Sequence, residues 1–156
     1  MLKRTALAVA VAGGLISNTP ALADAIADGV ALLPGAIDDV RVAGTWSRDG
    51  QSGVYRILIG RGGGNDITAR MFIQWVVYHS DGSATLLETI EIAELAELEI
   101  DVIDYISESD QDGLTVYIHA DNPVSGGDET FELFVFSPTQ HDEPNFIPAS
   151  CTRLRY

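Results

Sequence analysis

The stretch ESDQDG, Glu108 to Gly113, sets three carboxylates at alternate positions ahead of a glycine, which is the composition of a calcium loop. An EF-hand loop needs oxygen ligands at positions one, three and five, glycine at six and a bidentate Glu at twelve, between two helices. With Gly113 at position six, position one is Glu108 and position twelve is His119, and LTVYIHA (114–120) alternates like a strand. The stretch reads as a turn with acidic neighbours, and no metal site is expected from it.

The other reactive residue types are equally sparse in pattern. His79, His119 and His141 stand 40 and 22 residues apart and match no zinc spacing. GRGGGND (60–66) has the glycines of a phosphate cradle but continues into a strand, with no Gly-Lys-Ser/Thr. Gly-x-Ser-x-Gly is absent, so no nucleophile elbow is legible. Cys151 is the single cysteine, which excludes an intrachain disulfide; within ASCTRLRY it reads as a small core residue of a strand. Paired carboxylates as in glycosidases have no distinguishing spacing among so many acids. The catalytic, metal and cofactor expectation is therefore none, and an unrecognised hydrolase ranks third among the functions considered.

Charge narrows the partners. Lys3 and Arg4, the apolar run TALAVAVAGGLI and the small residues Ala21 and Ala23 read as a secretory signal peptide over 1–23, with the cut expected before Asp24. The run is too short for a membrane anchor. The mature chain would then carry 7 basic and 23 acidic residues, a net charge of −16, and no lysine. Segment 71–152 holds 17 carboxylates and neither Lys nor Arg. Such a surface repels phosphate backbones and anionic headgroups, so nucleic acid is excluded as a partner, and a cationic partner fits. The expected location is the periplasm or the extracellular space.

The elements that must position any site are strands. VRVAGTWS (40–47) alternates Val40, Val42, Gly44 and Trp46 on one face. GVYRILIG (53–60) and ITARMFIQWVVYH (67–79) follow, the latter with Met71, Ile73, Trp75 and Val77 on one side. ATLLETIEIA (84–93), LEIDVIDYIS (98–107), LTVYIHA, ETFELFVF (129–136) and ASCTRLRY (149–156) complete eight, with a bend and one helical turn near ELAE. Asp49-Gly50, Asp81-Gly82 and Asp112-Gly113, 32 and 31 residues apart, predict three type I′ hairpin turns. RGGGND (61–66), DNPVSGGD (121–128) and SPTQHDEPNFIP (137–148) read as loops between them. The whole is a small antiparallel, eight-stranded, up-and-down all-β domain over 40–156, a barrel or a β-sandwich, behind a flexible or short helical lead-in at 24–39.

AGTW, Ala43 to Trp46 on the first of these strands, resembles the Gly-x-Trp signature that opens lipocalin-like (calycin) barrels. The resemblance implies that Gly44 and Trp46 form the signature pair, with Trp46 plugging the closed end and Arg153 or Arg155 packed across it. A barrel of this size implies a binding protein holding a small apolar ligand. Tyr55, Ile57 and Ile59, or the opposite face Val54 and Leu58, together with Trp75, would line it. The alternative expectation is an acidic interaction module in which segment 88–112, with ten carboxylates and no base, docks a cationic protein.

Overall fold

A computed structural model describes residues 22–48, 50–62, 67–136 and 149–154. The chain divides into two compact units, 1–33 and 34–156. The first contributes helix α1 (Leu22–Ala31), which takes in the last two residues of the expected leader. Its Ile26 and Val30, one turn apart, are both exposed.

The second unit is all-β: β1 (Ile37–Arg48), β2 (Gln51–Gly62), β3 (Thr68–Tyr78), β4 (Ala84–Glu91), a single helical turn α2 (Ala93–Glu97), then β5 (Asp101–Ser109), β6 (Gly113–Asn122), β7 (Gly127–Phe136) and β8 (Ala149–Leu154). Every pairing is antiparallel between neighbours in sequence, in two four-stranded sheets ordered β1-β2-β3-β4 and β5-β6-β7-β8. The expected meander is present, and the described strands do not close into one continuous barrel.

Alternation of apolar side chains builds the core. Tyr55, Ile57 and Ile59 of β2, Met71, Ile73 and Trp75 of β3, Val116 and Ile118 of β6, and Phe131 and Leu133 of β7 turn inward and are almost fully buried. Each such side chain contributes roughly 1.5–3 kcal/mol on leaving water. Ile92, Leu95 and Ile100, before, within and after α2, cap one end of this core. There Ala69 N–H donates to Ile100 C=O at 2.8 Å, one backbone bond joining the two sheets.

Strand β1 departs from the expected face. A bulge between Val42 and Gly44 inserts Ala43 as an extra residue, so Val40 and Val42 are exposed while Ala43 and Trp46 are buried. One residue inserted into a period of two reverses every face beyond it.

The Asp-Gly turns also differ among themselves. Asp49 lies outside the described residues; Arg48 pairs with Gln51, and Gly50 has φ 78°, a left-handed value that glycine adopts freely. At Asp81-Gly82 the turn is longer: His79 N–H donates to Ser83 C=O, Gly82 N–H to His79 C=O, and Gly82 has φ 85°. At Asp112-Gly113 the glycine already belongs to β6. It is needed there for close approach, since a Cβ on Gly113 would sit 2.2 Å from the Val135 carbonyl oxygen. Asp110 closes that turn by accepting from the N–H groups of Asp112 and Gly113. DNPVSGGD, read as a loop between hairpins, is itself a hairpin turn: Asn122 pairs with Gly127, and the Asn122 Oδ1 accepts from Val124 N–H and Ser125 N–H, both at 3.0 Å.

Candidate functional site

Three surfaces of the β unit bring chemistry together. The first is the seam where edge strand β1 of one sheet runs beside edge strand β5 of the other. It is linked by side chains. Arg61 reaches from β2 to Asp38, donates through Nε to Asp101 Oδ1 at 2.9 Å, and donates to the Val102 carbonyl. Arg41 holds Asp39 at 2.7 Å and Asp104 at 3.4 Å, with its guanidinium 4.4 Å from the centre of the Tyr105 ring. The Tyr105 hydroxyl donates to Asp39 Oδ2 at 3.0 Å, and Ser107 Oγ donates to Ala43 C=O at 2.8 Å.

A cavity of about 200 Å³ opens over this network, lined by Asp38, Asp39, Arg41, Arg61, Asp104 and Tyr105 among others. Each of its carboxylates already faces a guanidinium that offsets its charge: Asp38 faces Arg61, and Asp39 and Asp104 face Arg41. Burial, then the hydrogen bond and charge of Asp39, hold the Tyr105 phenol well above its ordinary range, so it serves as a neutral donor. The arrangement fastens the two sheets together.

The second surface is a groove of about 530 Å³ between the β1–β2 hairpin and the β5–β6 turn, floored by Trp46. Trp46 is 2% exposed, and its Nε1–H donates to the Val54 carbonyl at 3.2 Å. Gly53 lies directly against the indole: a Cβ there would come within 2.8 Å of Cζ2. Thr45 N–H donates to Ser109 Oγ at 3.0 Å, tying the first sheet to the second at this end.

The third is the outward face of the second sheet. Register places Ile106, Tyr117, Glu132 and Thr152 in one cross-strand row, and Glu108, Thr115, Phe134 and Ser150 in the next. Phe134 and Phe136 stack edge to face with centroids 4.9 Å apart, and Ile106 is 64% exposed. Asp104, Glu108, Asp121, Asp128 and Glu132 share this face. The basic residue described on β5–β8, Arg153, points instead to the other side, where it binds Glu129, a buried carboxylate that also accepts from Asn122 Nδ2 at 3.0 Å.

Arg153 therefore does not cover Trp46. It sits opposite Phe131 on β8, the strand of its sheet farthest from β5 and hence from β1, and its charge goes to Glu129. Arg155 and His141 lie outside the described residues. Among the described residues the cations that pack on rings are Arg41 on Tyr105 and Arg70, 5.4 Å from the centre of Phe72. Gly44 and Trp46 do face the interior together.

The expected ligand face, Tyr55, Ile57 and Ile59 with Trp75, is the packed core, each residue at most 2% exposed, and Val54 and Leu58 turn to the outer side half-buried. Cys151 is half-buried against the core; burial, with Glu94 nearby, pushes its thiol up to about 11, away from nucleophilic use. His79 meets Thr85 Oγ1 at 2.8 Å and His119 lies 3.6 Å from Asp128, each on its own surface. Segment 88–112 does not form one surface: it runs from β4 through α2 to β5, and its Asp101 and Asp104 serve the seam. The seam residues Arg41, Arg61, Asp101, Asp104 and Tyr105 were not marked by sequence, since they come from three separate strands.

These features define an all-β protein of two antiparallel four-stranded sheets with a side-chain seam, an end groove lined by aromatic rings and hydroxyl groups, and an acidic, aromatic outer face. Comparison with protein-family models, with curated proteins and with solved structures gives no match in any of the three.

Proposed function

We propose that this chain is an exported, non-enzymatic binding module, β-sandwich in architecture, that docks a cationic protein or peptide on the outward face of its second sheet. The observation that carries the reading is the composition of that face: Ile106, Tyr117, Phe134 and Phe136 stand beside Glu108 and Glu132, with no Lys or Arg among its described residues. Aromatic rings beside carboxylates suit lysine and arginine side chains twice over, through the ring faces and through charge. An apolar ligand held inside has less support, because the side chains that would line its cavity fill the core. The sandwich reading is favoured over a lipocalin-like barrel by the β1–β5 seam, where side chains take the place of a ladder. Gly44, Trp46 and the up-and-down strand order are what remains on the side of the lipocalin-like resemblance.

Calorimetric titration with a lysine- and arginine-rich peptide, against the same peptide with glutamate in place of each cation, tests this. Binding of the cationic peptide should weaken as salt rises and fall in Tyr117→Ala and Glu132→Gln. Affinity that is equal for both peptides, or absent for the cationic one, defeats the reading. Amino-terminal sequencing of the protein recovered from outside the cytoplasm should begin at Asp24.

A further inference from the structure

We infer that the groove at the Trp46 end is a second binding site, independent of the sheet face above, and that its ligand is a neutral saccharide. The lining decides the chemical class. Thr45, Ser47, Ser52 and Ser109 each bring a hydroxyl, which donates and accepts at once, and Gln111 adds an amide with both capacities. A sugar's rim of hydroxyl groups needs that mixed set.

Tyr78 completes the requirement. Tyr78 is 56% exposed and lines the groove, where the face of C–H bonds of a pyranose ring can lie flat on its ring. Other ligand classes fit poorly. An anion finds no cation among the described lining residues and meets Asp110 instead. A cation finds only Asp110, whose Oδ1 already accepts two backbone N–H groups. A wholly apolar ligand would strip water from the hydroxyls without replacing their hydrogen bonds.

The groove is also formed in advance. The Trp46 indole is pinned by Val54 C=O and wedged against Gly53, and Ser109 is bound to Thr45 N–H, so floor and wall need no rearrangement. Its volume of about 530 Å³ falls within the roughly 300–1,000 Å³ usual for small-molecule sites.

Titration of the ¹⁵N-labelled full chain with cellotetraose, tetra-N-acetylchitotetraose and maltotetraose, all uncharged, followed by NMR, tests the assignment. At least one of the three should shift the Trp46 indole N–H and the Gly53 and Gln111 amides saturably, leaving the Trp75 indole in place. Tyr78→Ala should weaken that sugar by about tenfold or more, whereas Tyr78→Phe, which keeps the ring, should stay within about threefold. The Trp75 resonance reports in the same spectra that each variant is folded. If none of the three sugars moves the groove resonances, or if Tyr78→Ala binds as tightly as the parent, the inference is overturned. A cationic peptide that moves the Tyr117 and Glu132 amides but not the groove would leave the two sites distinct.

Discussion

Ser109 occupies the space that a side chain on Gly44 would need: a Cβ built on Gly44 would lie 2.4 Å from Ser109 Oγ and 2.6 Å from its Cβ. The same Oγ accepts from Thr45 N–H at 3.0 Å, so the glycine and the hydroxyl together bring β1 and β5 into contact. Gly44→Ala should therefore force the two sheets apart here and destabilise by roughly 1–3 kcal/mol, in the range of overpacked cores. Ser109→Gly should cost about 1 kcal/mol for its lost hydrogen bond. The double variant should recover part of the Gly44→Ala loss. Urea unfolding of the four proteins gives the coupling directly, and strict additivity would show that the two residues do not meet.

Arg61 should matter more than Arg41, although both join the same two sheets. Arg61 is about one-third exposed and donates to Asp38, Asp101 and a backbone carbonyl, whereas Arg41 is half exposed and its bond to Asp104 is long at 3.4 Å. Discounted for solvent, Arg61→Met should cost roughly 1–2 kcal/mol and Arg41→Met roughly 0–1 kcal/mol. Arg61→Lys should rescue little, because a point charge cannot serve three acceptors set in a fork. Thermal unfolding of the three variants checks the order.

Glu99 takes a backbone conformation suited to glycine. It follows the α2 turn with φ 52°, in the left-handed region, and its N–H donates to Ala96 C=O at 3.3 Å to end the helix. A residue with a Cβ is strained there by roughly 1 kcal/mol. Glu99→Gly should relieve that strain and raise stability by up to about 0.5 kcal/mol, after the entropy of the freer unfolded chain is subtracted. Glu99→Ala, which keeps the Cβ, should be neutral. A lower melting temperature for Glu99→Gly than for Glu99→Ala would overturn the argument.

Period-two alternation made most of the strands legible, because in this chain one face of each sheet is buried and the other wet. The Ala43 bulge was not, since nothing in VRVAGTWS distinguishes an extra residue from the next in the alternation. Gly113 looked like Gly50 in sequence, yet one answers a positive φ and the other a neighbouring carbonyl, a difference set by β7 and visible only in three dimensions. The seam and the groove are assembled across sequence separations of 40 to 66 residues, as from Arg61 to Asp101 and from Asp39 to Tyr105. No local motif encodes such a meeting. Arg153 was placed by analogy, and the buried Glu129 that claims it carries no signal in ETFELFVF beyond its place in the inward alternation.

Cys151 supplies a pH dependence whose sign follows from its surroundings. Burial first, and the charge of Glu94 second, raise its thiol to about 11 from an ordinary value near 9, so the folded protein favours the neutral form. The folded pKa lies above the unfolded one. This contribution is thus fully present below about pH 9 and is lost as pH rises from there through about 11. A shift of that size leaves roughly a hundredfold less thiolate at pH 8 than an unhindered thiol has. Alkylation by iodoacetamide at pH 8 should accordingly run about a hundred times slower in the native protein than in urea, and accelerate steeply between pH 9 and about 11. Cys151→Ala should flatten the fall in stability over that interval. Native alkylation as fast as that of the unfolded chain would place the thiol in water and remove the basis for both effects.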